Sequence, residues 1–420
     1  AYPACSSLMI SLLHYASLLL ALLVSAWYFR DLGDITQMAF KVSRRNLLFA
    51  IRHEKHFLWA GVVLLAIAVI TWRPAGASVW SFVAVALCLI MLVFPWAWVH
   101  LGLRNQQQSA RFYTVDQASQ FVRPDTSVLV IENGSHARAH PDYELQRPHL
   151  AGTRDGLGGE NILMTYCAMS HLGIAVKPER MGRLLALDVA GQHGNNLVLR
   201  DRSNSEPFAQ IDCCTVNGPL ERWPTFRMRF DAFVKAYPQG EVFLNPIPGF
   251  LQNPLFFVVD HLVEALFRKA LHNHHHREAL MFDTMTHEDT RLPRKTLVWA
   301  LEAGGESAAF TADFIKGAGY PLNIVLGGQR LVVGWQPEED CITAFYRPGD
   351  RPVTELDFRG QSDRGKLQRF ESLFPGLYWF VWVNFHPDTL LNEEVSLHDG
   401  VALPNANVTL TSRSRQSRLT

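Results

Sequence analysis

Four familiar signatures are missing from this sequence. It has no G-x-x-x-x-G-K-[ST] loop, no G-x-G-x-x-G turn, no H-E-x-x-H motif and no G-x-S-x-G elbow. Their absence removes the common nucleotide-binding, zinc-protease and serine-hydrolase explanations. Charge is scarce too: only 19% of residues are Asp, Glu, Lys or Arg, and 39 basic residues are balanced by 39 acidic ones. With no net field to gather phosphates, a nucleic-acid partner is not expected. Cysteine is sparse, at six in 420 residues. Cys5 and Cys88 lie in or beside apolar runs, Cys213 and Cys214 are adjacent, and Cys167 and Cys341 are isolated. Neighbouring cysteines bridge only with strain, so this is no disulfide framework.

Apolar residues, 48% of the chain, crowd into its first quarter. Residues 8–29 form a run long enough to cross a bilayer, which takes about 20 residues. A second run, 57–72, is short for a span, and a third covers 79–103. Arg30, Lys41, Arg44, Arg45, Arg52 and Lys55 lie between the first two, whereas only Arg73 separates the second from the third. The positive-inside bias therefore places residues 30–56, and everything after residue 103, in the cytoplasm. A re-entrant 57–72 run would reverse that parity. The 30–56 loop, which mixes apolar and basic residues, reads either as a segment lying on the lipid surface or as a solvated connector with topogenic charge.

Beyond a polar spacer the pattern changes. Short apolar runs, SVLVIE (127–132), NILMTYC (161–167), LLALDV (184–189) and NLVLRD (196–201), are separated by Asn-Gly, Gly-Gly and Gly-Asn steps. Such spacing predicts strands and hairpins. Helical periodicity is confined to 226–237 and, more clearly, 254–271. An internal repeat sets the expected architecture. PDTSVLVIENGSHARAHP (124–141) and PRKTLVWALEAGGESAAFT (293–311) both give an apolar strand, a glycine turn and a small-residue strand. A Gly-Gly pair follows in each copy, Gly158-Gly159 and Gly327-Gly328, and each copy closes on an aromatic segment. The expected fold is N-terminal transmembrane α-helices plus a β-rich (α+β) soluble region made of two related repeats. The divisions are an anchor of two or three spans (1–104), a first repeat (112–250), a linker helix and His-rich tract (251–280), a second repeat (281–395) and a tail (396–420). From Asn405 the tail is rich in Ser, Thr and Arg and is expected to be disordered.

The order of these pieces, an HARAHP strand, a D-x-x-GG turn, a T-Y-C box, a GPL step and a closing W-F-x-W-x-x-F-H-P-D-T, resembles the prokaryotic family called domain of unknown function 3179 (DUF3179) across most of residues 112–395. The resemblance implies a scaffold rather than a reaction. In that family the box usually reads T-Y-C-P-L-C-G; here Thr165, Tyr166 and Cys167 match, whereas Ala168, Met169, Ser170 and His171 replace the rest. The second cysteine of that pattern is absent, so a dithiol reading does not carry over.

Chemistry-bearing residues gather around the box. On an extended strand Cys167, Met169 and His171 would project to one face, about 7 Å apart. A thiolate, a thioether and an imidazole are soft ligands suited to copper(I), and zinc would accept two of them. The alternative is a nucleophilic Cys167 with its pKa lowered by His171 or His193. Cys213 and Cys214 could add a thiol pair, or could be inert packing. His272, His274, His275 and His276 read either as a metal tract or as the cationic end of the linker helix. Asp155, Asp188 and Asp212 are the nearest carboxylates by sequence, with no pairing to assign one as acid or base. The second copy has no thiol at the matching place, and His386 with Asp388 reads as a structural turn. The expectation is a multi-pass membrane protein partnered by the lipid bilayer and by another membrane protein. It would act as a binding or assembly module centred on Cys167, with a cysteine-dependent membrane-surface enzyme as the alternative.

Overall fold

The computed structural model describes residues 2–37, 40–103, 105–247, 249–282 and 284–395. The tail expected over 396–420 lies outside them.

The apolar runs fold as helices. α1 (Tyr2–Leu32), α3 (Glu54–Thr71) and α4 (Val79–Ala97) pack together, and α2 (Arg44–Arg52) lies between the first two. Three segments, Ser7–Leu32, Glu54–Thr71 and Val79–Gly102, are long and apolar enough to cross a membrane. The middle one has 18 residues, about 27 Å at the helical rise, close to the hydrocarbon thickness of about 30 Å. Close packing explains Gly61: a Cβ there would come 2.6 Å from Leu92. Pro95 lacks the N–H that the regular ladder needs, and the helix widens into a looser last turn, Trp98–Gly102.

Within the 30–56 loop, α2 turns one face inward and leaves the other exposed. Ser43 caps that helix by accepting from the Asn46 N–H at 3.2 Å. Leu47, Ala50 and Ile51 are buried. Arg52 pairs with Glu206 at 2.7 Å and Arg44 with Asp212 at 3.3 Å, so its basic face meets carboxylates of the β-rich region.

In that region, β1 (Ser127–Asn133) and β2 (His136–Pro141) form a hairpin, and α5 (Asp142–Leu145) follows. A meander comes next: β3 (Leu150–Ala151), β4 (Leu163–Cys167) and β5 (Leu172–Lys177). β6 (Leu187–His193), β7 (Asn196–Asp201) and β8 (Glu206–Ala209) make a separate sheet against the anchor. β9 (Phe226–Arg229) then pairs antiparallel with β1, α6 (Phe230–Ala236) crosses, and β10 (Glu241–Phe243) pairs parallel with β2. The expected single helix over 226–237 is thus a strand turning into a helix. Phe226 and Met228 are drawn into pairing with β1, and this tertiary contact outweighs local periodicity.

The linker helix α7 (Pro254–His276) is longer than its expected 254–271. After it, β11 (Leu297–Ala303) and β12 (Glu306–Thr311) form a hairpin, α8 (Ala312–Ala318) follows, and β13 (Leu322–Leu326), β14 (Gln329–Gln336) and β15 (Cys341–Tyr346) meander. β16 (Leu373–Tyr378) pairs antiparallel with β11, α9 (Trp379–Phe385) crosses, and β17 (Leu390–Leu391) pairs parallel with β12. The strand orders β10-β2-β1-β9 and β17-β12-β11-β16 have the same connections and directions. Each meander sits beside the other half's closing strand: β15 pairs with β9, and β5 runs along β16. In both halves the Gly-Gly turn lies on the hairpin turn. Gly327 has φ +53 and a Cβ there would come 2.0 Å from the Ala303 carbonyl, while Gly158, at φ +58, abuts Asn133.

Candidate functional site

Cys167 is the last residue of β4, a strand buried along its whole length. Its partner in the register is Leu172, so residues 168–171 are the hairpin turn rather than continuing strand. His171 takes φ +57 there. The expected alternation of Cys167, Met169 and His171 on one face is therefore corrected, because the extended backbone on which it rested stops at Cys167. Long-range bonds pin the turn: Met169 O accepts from His274 Nε2 (2.8 Å), Ser170 O from the Tyr378 N–H (3.0 Å) and His171 O from Arg227 (3.2 Å).

The turn sends its side chains two ways. The His171 imidazole meets Asp142 through Nε2 at 3.1 Å and the Gly376 carbonyl through Nδ1 at 2.6 Å. Cys167 and Met169 instead line a largely apolar, partly open cavity of about 340 Å³. Its other walls are Phe94 and Trp98 at the end of the last apolar helix, Phe267 and Leu271 of α7, and Met281 and His149. The Cys167 thiol donates to the Asn195 carbonyl at 3.5 Å. Burial pushes this thiol above its ordinary pKa, with Ser170 opposing only in part. That is the reverse of what an activated nucleophile needs.

His149 was not legible as a site residue. Its Nδ1 donates to the Tyr166 carbonyl at 3.0 Å, which makes Nε2 the lone-pair nitrogen of the neutral ring. Burial, opposed by that bond and aided by Arg147, lowers its pKa to about 4. The His-rich tract divides. His274, buried and held neutral with a pKa near 4, donates to Met169 O and accepts from the Met281 N–H at 3.3 Å, so it positions both thioether residues of the cavity. His275 bonds Tyr378 at 2.7 Å, whereas His272 and His276 stack and face solvent. Lys295 closes the helix end by donating to the His274 and Arg277 carbonyls.

The other candidates lie elsewhere. His193 is buried, and the 194–195 loop reaches Cys167 through the Asn195 carbonyl rather than through that imidazole. Burial first, and then Arg44, lowers its pKa to about 4. Cys213 donates to Gln210 O at 2.9 Å and burial raises its thiol to about 11. Neither Cys213 nor Cys214 lines the cavity. Asp188 and Asp212 belong to the face that meets the anchor. Among the described residues no three His, Cys, Asp or Glu side chains converge as a metal-binding group.

These features define a class: a β-rich region joined to three helices fit to anchor it in a membrane, with a cavity where the two meet. Residues 107–389, about two thirds of the chain, match the model of the family described as "Protein of unknown function (DUF3179)", and the chain belongs to that family. No curated protein and no solved structure matches it.

Thiol reactivity follows directly from the geometry. Cys214 is exposed, whereas Cys88, Cys167, Cys213 and Cys341 are buried. Brief maleimide treatment of the folded protein at neutral pH should modify Cys214 and leave Cys167 free until unfolding, as peptide mass mapping would read. Rapid modification of Cys167 would revive the nucleophile reading.

Proposed function

We propose that this chain is a membrane-anchored binding protein whose site is the cavity at Cys167, and that its ligand is apolar, a hydrocarbon chain drawn from the bilayer. The observation that carries the reading is the make-up of the cavity wall: one side is the end of the last apolar helix, the other the Cys167 strand, and α7 bridges them. A volume of about 340 Å³ suits an organic ligand, since such pockets span roughly 300–1,000 Å³. Cys167 serves as a small neutral lining group in this account. A location of the 30–56 loop and the β-rich region together on the cytoplasmic side is part of this proposal, supported by the ion pairs of Arg44 and Arg52 between them and by the positive-inside bias of the loop. The β-rich region itself is a tandem duplication, a reading supported by the two matching strand orders. Only its first copy kept a cavity-lining thiol.

The full chain in detergent micelles should bind a fluorescent long-chain fatty acid saturably, and Ala270→Phe, which adds bulk at the α7 wall, should weaken that binding at least tenfold, about 1.4 kcal/mol. Equal binding by both proteins, or none by either, overturns the proposal.

A second reading keeps soft-metal chemistry but exchanges His171 for His149, because Cys167, Met169, Met281 and the neutral His149 ring surround one cavity. Stoichiometric copper by elemental analysis, lost in Cys167→Ser, would favour it over the apolar ligand.

A further inference from the structure

α7 has two apolar rows, and the fold buries only one. Asp260, Val263, Phe267 and Leu271 turn inward: Val263 and Leu271 are buried, and Arg147 ties Asp260 to the Gly102 carbonyl. The other row is Val258, Leu262 and Leu266, four residues apart and so on one helical face. They are 56%, 60% and 57% exposed, and Phe250 and Leu251 just before the helix are 52% and 95% exposed. A helix apolar on an outward face needs something to cover it.

The helix's position supplies the cover. The Phe267 ring stacks on Trp98 at 5.4 Å, and Arg147 joins α7 to Gly102, so α7 lies at the depth where the last apolar helix ends. Around that level the apolar helices present exposed Trp96 and Leu101, and Leu266 of the α7 row lines a cavity with Phe94 and Trp98 of the last of them. His261, Glu264 and Arg268 fill one sector between the two rows, and Lys269, one turn past Leu266 on the outward face, ends the apolar row with a cation whose long stem lets it reach lipid headgroups. We infer that α7 is an interfacial helix, with the Val258–Leu262–Leu266 row sunk into the acyl boundary of the leaflet on the β-rich side. The lipid-surface segment expected over 30–56 is thereby reassigned to residues 250–266. Leu266 also lines the rim of the Cys167 cavity, so the inference rests on Val258 and Leu262, which do not line it and need no ligand there.

The test is photocrosslinking of the full chain in phosphatidylcholine vesicles containing phosphatidylglycerol, with p-benzoylphenylalanine installed singly at Val258, at Leu262 or, as an exposed control in the β14–β15 turn, at Glu338. Phospholipid adducts at Val258 and Leu262 with none at Glu338 are expected by mass spectrometry. Absence of lipid adducts at both helix positions, or crosslinked dimers in their place, overturns the inference. The two surface positions guard against failure of either variant to fold.

Discussion

Replacing Arg200 with methionine should destabilise the chain by about 3–5 kcal/mol, the usual cost of breaking a buried ion pair from one side. Arg200 sits where the anchor meets β7, its side chain 7% exposed. It bonds Glu54 at the head of α3, His100 at 3.1 Å and Asp188 at 3.4 Å, and Glu54 also accepts from Tyr28 at 3.0 Å. Without the guanidinium, two carboxylates are left buried together, with only a partly exposed imidazole nearby. Both belong to the contact that holds the β-rich region to the helices, so the loss appears as undocking. Limited proteolysis should cut the variant between residues 30 and 56 at a protease level that spares wild type. Restoring neutrality with Glu54→Gln in the same chain should recover part of the loss, because it removes one uncompensated charge. Equal protease resistance of Arg200→Met and wild type would mean that the anchor is held by apolar packing alone.

Arg227→Ala carries the second large effect, again about 3–5 kcal/mol. Arg227 reaches from β9 to Asp142 at 2.7 and 2.9 Å, to the Pro375 carbonyl at 2.7 Å and to His171 O at 3.2 Å, joining both halves and the turn after Cys167. Burial alone would push the Asp142 carboxyl up; Arg227, and then His171, outweigh it and hold the carboxyl below its ordinary value. A depressed folded-state pKa stabilises at pH above the unfolded value, near 4, and that contribution is lost as pH falls through the folded value. The deficit of Arg227→Ala relative to wild type should therefore be largest near neutrality and should narrow below about pH 4. Chemical denaturation at pH 7 and pH 3.5 measures it, and equal deficits would remove Asp142 from the explanation.

Local signals were readable where local forces decide. The runs 127–132 and 196–201 became strands with little change because glycine turns flank them and their residues favour a pleated, buried surface. The three N-terminal apolar helices were legible because length and apolar composition alone define a candidate span. The turn after Cys167 was not, since Ala-Met-Ser-His carries no Gly, Pro or Asn signal. What holds it are His274, Tyr378 and Arg227, contributed by distant parts of the chain. The cavity was hidden for the same reason: it is assembled from residues near 94–98, 149, 167–169, 266–271 and 281. The basic residues of the 30–56 loop were visible, but not the carboxylates, Glu206 and Asp212, that two of them meet.

The cavity as an apolar ligand site is the centre of this account, and its most direct test is to ask what the protein carries. Full-length chain purified in detergent would be extracted with organic solvent and the extract analysed by mass spectrometry beside an identical preparation of Ala270→Phe. The account predicts a long-chain lipid or similar hydrocarbon near one equivalent in wild type and a clear depletion in the variant. An extract no richer than detergent carried through the same columns, or equal loading of the two proteins, would contradict it.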